Sequence, residues 1–219
     1  MKKELYYPLT FLLWFIVTTT VKAQTEQFCI DTLNQVVFER MQGKSFPAGC
    51  SVQRSDLRYL TLTHYNACGE IKTGEMVCNK AIAKDLIDIF KELFRQHYPI
   101  ERIQLIDEYD ANDERSMRAN NTSCFCYRVV EGSKTLSNHA LGLAVDLNPL
   151  YNPCVRHKKD GTLLVQPETG KPFVSRTRTF IYKITHKDLA YRLFKKHGFK
   201  WGGDWNTVKD YQHFEKVTR

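Results

Sequence analysis

Residues 137–148 have the sequence SNHALGLAVDLN and are the most informative segment of the chain. It places the imidazole of His139 and the carboxylate of Asp146 seven residues apart, with Gly142 between them. From residue 143 to residue 148, apolar side chains alternate with small or polar ones, which predicts a β-strand that buries one face. Asp146 then lies on the opposite face, and Gly142 allows the backbone to bend so that the two polar side chains converge. The stretch therefore predicts a strand at the edge of a functional site.

A second polar segment lies near the C-terminus, at residues 202–215, and has the sequence GGDWNTVKDYQHFE. It contains His213 and, three residues earlier, Asp210. Two histidines and one carboxylate are a common ligand set for a catalytic zinc ion, which keeps a fourth position for water. A further carboxylate is what such a site needs as a proton acceptor. Any one of these residues taken alone is also compatible with a structural hydrogen-bonding role.

The two segments resemble a known family of enzymes. The pattern Ser-x-His-x-x-Gly-x-Ala-x-Asp, followed by Asp-x-x-His-Phe-Glu, is similar to that of the zinc peptidases of the D-alanyl-D-alanine carboxypeptidase and L-alanyl-D-glutamate endopeptidase family, which cleave the peptide stems of bacterial cell walls. The resemblance covers about residues 103–215. It implies that His139, Asp146 and His213 bind zinc (Zn2+) and that Asp210 is the general base, a position where many members have Glu.

Hydrolysis of a peptide bond also needs groups that bind the substrate and its developing negative charge. Arg128 is the first candidate for stabilising the oxyanion, and Arg118 is the second. Either guanidinium could instead bind a substrate carboxylate or lie on the surface. Ser137 and Asn121 are candidate hydrogen-bond donors to the substrate. Glu215 shares a strand face with the nearby histidine, so it is either a rival base or a residue that orients this ligand.

The N-terminus has the features of a secretory signal peptide. Lys2 and Lys3 precede an apolar run at residues 9–21, and small residues at positions 21 and 23 suit a signal peptidase. We predict that residues 1–23 are removed and that the mature chain, residues 24–219, is exported to the periplasm or the extracellular space. The alternative is an uncleaved N-terminal anchor. No second apolar segment is long enough to span a bilayer.

The chain is basic, with a formal net charge of +8. Removal of the predicted signal peptide takes away three Lys and one Glu, which leaves +6. A basic surface favours anionic partners. No reader module or basic aromatic cluster for nucleic acid is present, so peptidoglycan is the expected partner and nucleic acid is not. The alternative is a soluble surface with scattered Lys and Arg.

Seven cysteines are present, and an exported chain with this number is expected to form disulfides. The odd number leaves at least one thiol free. A pairing of Cys68 with Cys78 would close a hairpin, although the sequence alone does not fix it. A structural zinc site on cysteines is not expected, because the chain contains no Cys-x-x-Cys pair.

Periodicity predicts one α+β domain, in which a small antiparallel sheet carries the zinc site and helices pack on its back, and the family resemblance implies the same architecture. The predicted helices are residues 29–40, 80–97 and 186–197. The predicted strands include residues 57–64, 103–106, 124–130 and 143–147. Residues 155–178 are predicted to be a long loop, either a flap beside the cleft or an excursion on the surface.

Two functions are compatible with these features. The first is a secreted zinc peptidase, of carboxypeptidase or endopeptidase type, that acts on peptidoglycan stem peptides. The second is a noncatalytic, zinc-containing wall-binding module on the same fold. Asp210 favours the first function, because a binding module does not need a general base.

Overall fold

The computed structural model describes residues 26–130 and 132–217. The predicted signal peptide, residues 1–23, lies outside these ranges. The described helices are α1 (Gln35–Met41), α2 (Lys80–Arg95), α3 (Asp113–Arg118) and α4 (Leu189–Lys196). The described strands are β1 (Phe28–Thr32), β2 (Leu57–Tyr65), β3 (Ile71–Asn79), β4 (Arg102–Ile103), β5 (Asn121–Thr122), β6 (Ala144–Asp146), β7 (Cys154–His157), β8 (Leu163–Gln166), β9 (Lys200–Trp201), β10 (Val208–Asp210) and β11 (His213–Glu215). None of the described helices is long and apolar enough to cross a membrane.

The core is built around α2, the longest of the described helices. Its apolar residues recur every three or four positions, so they form one continuous stripe. Asn79 precedes the helix and accepts a hydrogen bond from the backbone N of Ala81 at 3.0 Å, as an N-cap residue does. The buried stripe comprises Ile82, Ala83, Leu86, Ile87, Ile89, Phe90, Leu93 and Phe94. The helix predicted over residues 80–97 is therefore confirmed, with its end two residues earlier.

Helix α2 packs against a three-stranded antiparallel sheet with the strand order β1-β2-β3. The β2–β3 hairpin pairs Leu57 with Asn79 at one end and Tyr65 with Ile71 at the other. Asn79 thus ends β3 and caps α2, so the chain passes from sheet to helix at a single residue. The strand predicted over residues 57–64 is confirmed.

A second antiparallel sheet, with the order β6-β11-β9, carries the predicted ligands. His213 lies opposite Asp146 in the register of β11 and β6. Phe214 is fully buried, and its ring stacks on that of Phe194 of α4 with the centroids 4.2 Å apart. Val145 of β6 is fully buried as well. The predicted alternation and the α+β class are therefore confirmed: helices cover the back of a small antiparallel sheet, and Asp146 and His213 lie on that sheet, while His139 lies in the turn that precedes it.

A third sheet, with the order β10-β7-β8, occupies a region that the sequence predicted to be a loop. β7 and β8 form an antiparallel hairpin in which Cys154 lies opposite Gln166. β10 pairs with the other edge of β7 and places Asp210 opposite Cys154. The loop prediction for residues 155–178 is wrong over this hairpin. Periodicity did not reveal the strands because β7 and β8 bury only Val165.

The helix predicted over residues 29–40 is wrong in its first half. That half forms β1, which pairs antiparallel with β2. The helix begins only at Gln35, because Asn34 caps it by accepting a hydrogen bond from the backbone N of Val37 at 2.9 Å. The apolar positions matched a helical period, but the cap residue in the middle of the segment divides it into two elements.

The strand predicted over residues 124–130 is also wrong, because this extended segment does not pair with one neighbouring strand. Its consecutive backbone N–H groups donate to carbonyl groups of three different regions, at Val77, His139 and Ser45. The segment therefore joins the central hairpin to the turn that contains His139.

All seven cysteines are free thiols in the structure, so the disulfides expected of an exported chain are absent. Cys68 is exposed in the turn of the β2–β3 hairpin, whereas Cys78 is buried near the far end of β3, opposite Arg58. Most of the length of β3 separates the two residues. The predicted pairing of Cys68 with Cys78 is therefore wrong.

Candidate metal centre

Three buried side chains converge beside the β6–β11 pair: His139, Asp146 and His213. Each offers one ligand atom, and these atoms all lie within 4.8 Å of one another. Asp146 Oδ1 is 3.3 Å from His139 Nε2 and 3.1 Å from His213 Nδ1, and the two imidazole nitrogens are 3.2 Å apart. Two imidazole nitrogens and one carboxylate oxygen form a donor set that fits a divalent transition-metal ion.

The turn between the first two ligands depends on Gly142. This residue has φ +67°, a left-handed conformation that L side chains rarely adopt. A Cβ atom at this position would lie 2.7 Å from the backbone N of Asn79, which donates a hydrogen bond to the Gly142 carbonyl at 2.9 Å. The turn is thereby fixed to the start of α2. His139 and Asp146 converge because a residue without a side chain stands between them.

Each histidine is oriented by its second ring nitrogen. His139 Nδ1 lies 2.7 Å from the backbone carbonyl oxygen of Cys124, which leaves Nε2 directed at Asp146. His213 Nε2 lies 3.2 Å from Glu215 Oε2, which leaves Nδ1 directed at Asp146. Asn138 Nδ2 in turn donates to the same Glu215 oxygen at 2.6 Å. Such outer partners fix the tautomer and the direction of metal-binding histidines.

The electrostatics of the three residues are strongly coupled. Burial alone would raise the pKa of Asp146, but His139 and His213 beside it hold this pKa well below its usual range. Burial opposes the charged form of His213, yet Asp146 and Glu215 raise the pKa of its imidazole to about 10. A carboxylate that stays ionised suits a cation, and a divalent ion would displace the proton of His213.

Asp210 lies at the end of β10, on the same cavity as the three ligands. Its Oδ1 atom is buried and has no hydrogen-bond partner among the described residues. Burial raises the pKa of the Asp210 carboxyl to about 6; the positive charge of His213 opposes this rise, and the negative charge of Asp146 adds to it. The carboxylate is therefore a stronger base than an exposed one and remains largely ionised at neutral pH.

Arg128 also borders this cavity. Its guanidinium Nη2 forms an ion pair with Asp113 at 2.5 Å, and its Nε is buried without a hydrogen-bond partner in the described part of the chain. Burial opposes the charge of Arg128, but Asp113 outweighs it and raises the pKa of the guanidinium. A fixed positive charge therefore lies beside the metal-binding residues.

Comparison with known proteins shows what the part of the chain that holds this site is similar to. Residues 131–216 match a family model described as D-alanyl-D-alanine carboxypeptidase. The resemblance to this peptidase family is confirmed. The matched range contains His139, Asp146, Asp210 and His213, and it supports a peptidase, a hydrolase of the metallopeptidase class. No solved structure matches the chain.

Two residues that the sequence predicted for substrate binding lie away from the cavity. Arg118 does not border the cavity; it contacts Glu114 at 2.8 Å and Glu168 at 3.7 Å on the surface. Asn121 is fully buried, and its side chain hydrogen-bonds the backbone N and O of Gln104. The amide therefore holds the β4–β5 region together. The sequence alone does not show which of the polar residues near a motif point into the cavity.

Ser137 does lie on the cavity, as the sequence predicted, but its hydroxyl also has a structural contact. Its Oγ accepts a hydrogen bond from the backbone N of His139 at 3.2 Å. This bond begins the turn that carries the first ligand. The hydroxyl hydrogen remains available for donation, because the oxygen acts as the acceptor in this bond.

The cavity has a volume of about 450 Å³, and sequence reasoning missed much of its wall. Cys154, Arg156 and Gln166 from the β7–β8 hairpin line one side, and Asp113 lies on its border as well. Trp205 stands near the ligands, with its ring centroid 5.2 Å from that of His213. The sequence analysis anticipated part of this wall, because a flap beside the cleft was one of the two alternatives for residues 155–178. No sequence signal separated Asp113 from the other charged residues around it.

Proposed function

We propose that this protein is an exported zinc peptidase that hydrolyses the peptide stems of bacterial peptidoglycan. The observation that carries the proposal is the convergence of His139, Asp146 and His213 on a cavity that Asp210 also lines, with one buried oxygen of its carboxylate left without a hydrogen-bond partner among the described residues. The family match supports the same reaction class. Export rests on the sequence of residues 1–23 alone.

The three ligands would hold the ion through two imidazole nitrogens and one carboxylate oxygen. When bound, a zinc ion supplies Lewis acidity for the attack of water on a peptide carbonyl. Asp210 accepts the proton of the attacking water through its free oxygen and delivers it to the leaving amine. A base with a pKa near 6 suits both steps, because it is ionised at neutral pH and still binds a proton appreciably.

Arg128 stabilises the negative charge that develops on the carbonyl oxygen. The guanidinium is held by Asp113, so it does not have to reorganise during the reaction. A preorganised cation in a partly dry cavity is worth more than the same cation in water. The guanidinium also has the fork geometry that binds a carboxylate with two hydrogen bonds, which would serve a stem that ends at the site.

Glu215 is the rival candidate for the base. Its Oε2 atom contacts both His213 Nε2, at 3.2 Å, and Asn138 Nδ2, at 2.6 Å. A carboxylate occupied by two protein donors is poorly placed to accept a proton from water. Glu215 therefore orients His213, and Asp210 acts as the base.

The deciding experiment is digestion of purified muropeptides with the zinc-loaded protein, followed by mass measurement of the products. Loss of a terminal alanine would identify a carboxypeptidase, and a cut within the stem would identify an endopeptidase. A chelator should stop the reaction, and added zinc should restore it. Zinc binding without hydrolysis of any stem would instead support the noncatalytic wall-binding module.

A further inference from the structure

Cys154 faces the proposed base from the neighbouring strand. In the antiparallel register of β7 and β10, Cys154 is the residue directly opposite Asp210. Side chains of directly opposite residues lie on the same face of a sheet, with their Cβ atoms about 4.5–5.5 Å apart. Both residues border the cavity that holds the metal-binding side chains.

The Cys154 thiol and the Asp210 carboxylate interact across this pair: burial raises the pKa of the thiol and the carboxylate raises it further, while the thiol lowers the pKa of the carboxyl against the effect of burial. The carboxylate cannot donate when it is ionised, so the S–H group is the donor in any hydrogen bond between them. The Oδ1 atom of Asp210 is buried and has no hydrogen-bond partner among the residues that the structure describes.

The backbone of Asp210 is held from the other side by Gly202. A Cβ atom at position 202 would lie 2.6 Å from the Asp210 carbonyl oxygen and 2.8 Å from its Cβ. Close contact with Gly202 thus fixes the main chain. The carboxyl group of Asp210 can still rotate about the Cβ–Cγ bond, and a hydrogen-bond donor at Cys154 would limit this rotation.

We infer that Cys154 is a positioning residue, which orients the carboxylate of Asp210 so that one oxygen faces the attacking water. The inference rests on the proposed peptidase function. A thiol is a weak donor, so it orients the carboxylate without strongly reducing its ability to accept a proton. No part of the sequence motifs pointed to this residue, which directly precedes the segment predicted to be a loop.

The test uses four variants of the full-length, zinc-loaded protein. Cys154→Ala and Cys154→Val remove the donor, Cys154→Ser retains a donor, and Cys50→Ala is the control for removal of a half-buried thiol outside the cavity. Displacement of a catalytic group by an ångström can lower a rate by about 10²-fold. We expect roughly a tenfold lower kcat for the Ala and Val variants, with KM and zinc content unchanged. Ser and the control should stay within about threefold of wild type.

A double-mutant cycle separates this role from a general effect on the fold. In an Asp210→Ala background, Cys154→Ala should have no further effect on kcat, because the thiol acts only through the carboxylate. Additive losses, or an unchanged kcat in both the Ala and the Val variants, would overturn the inference. These outcomes differ from failure of the proposed function, in which the wild-type protein itself would not hydrolyse muropeptides.

Discussion

At the scale of single residues, the cavity is lined by four carboxylates, one of which, Asp113, pairs with Arg128; the other three differ in what contacts them. Asp146 lies between two imidazoles, and Glu215 bonds one imidazole and the amide of Asn138. Asp210 alone of the three keeps an unpartnered buried oxygen. A carboxylate whose oxygens are occupied serves as a ligand or an anchor, whereas one with a free oxygen can accept a proton. The environment therefore favours Asp210 as the proposed base more sharply than residue type does.

Asp210→Ala should keep zinc and lose hydrolysis, because the three ligands remain and only the proton acceptor is removed. Loss of a general base costs about 10²–10⁴-fold in rate. Steady-state kinetics and metal analysis of the same preparation check both parts. Glu215→Gln is the control: it should weaken zinc binding more than the chemical step, since Glu215 contacts a ligand. Activity of Asp210→Ala within a few-fold of wild type would leave Asp210 without this role.

The same residue predicts a pH dependence of kcat/KM. Because burial raises the pKa of Asp210 to about 6, its carboxylate is protonated and inactive well below that pH. Activity should therefore fall as the pH decreases, with a midpoint at or below about 6, since a bound dication lowers the pKa of a neighbouring carboxyl. Replacement by Glu should shift the midpoint, because the longer side chain leaves the buried position. A profile that is flat down to pH 4 would contradict the assignment.

Arg128→Ala should lower kcat/KM with zinc content unchanged. A lost oxyanion donor costs about 2.7–4 kcal/mol in transition-state stabilisation. Arg128→Lys should recover only part of the activity, since a point charge does not reproduce the planar fork. The matched control is Arg118→Ala, which removes a guanidinium that pairs with Glu114 and Glu168 on the surface. If Arg118→Ala loses activity while Arg128→Ala keeps it, the roles of the two arginines are the reverse of those proposed.

At the scale of elements, the sequence predicted those parts whose burial has a strict period. Helix α2 has one buried stripe, and the segment that contains β6 alternates apolar with small or polar side chains, although all three residues of β6 are buried; both patterns are visible in the sequence. The β7–β8 hairpin was missed because it buries little, and β1 was missed because its residues also matched a helical period. The sequence did contain a signal for the boundary between β1 and α1: Asn34 is a helix-capping residue, and a cap residue marks where a helix begins.

The turn between the first two ligands can be tested by substitution of its glycine. Gly142→Ala should destabilise the protein and weaken zinc binding, because φ +67° disfavours an L side chain and the new Cβ would lie 2.7 Å from the Asn79 backbone. The control is Gly161→Ala, which has φ +80° and open space around it. The control should cost about 1–2 kcal/mol, the strain of the left-handed conformation alone. Urea unfolding measures both, and equal losses would show that the contact with Asn79 is unimportant.

At the scale of the whole molecule, the site joins regions that are distant in sequence. His139 lies in a turn fixed to the start of α2, Asp146 lies on β6, and His213 lies on β11. The neighbouring residue on β11, Phe214, packs on α4. The motifs predicted which residues would meet, because spacing and residue type are local properties. They did not predict that Asp113 would pair with Arg128, or that Cys154 would face Asp210, because these contacts arise from packing between separate segments.

Because the metal ligands come from two separate segments, zinc should stabilise the entire domain. An ion that binds only the folded state stabilises it by about 2.7 kcal/mol at 100 times its Kd. For a domain of this size the Tm should rise by roughly 5–10 °C, and a chelator should reverse the rise. Calorimetry with and without zinc measures the shift. His139→Ala is the control, since it leaves two of the three ligands; it should lose both the bound zinc and the shift while its unfolding stays cooperative. A full zinc content or an unchanged shift in that variant would exclude His139 as a ligand.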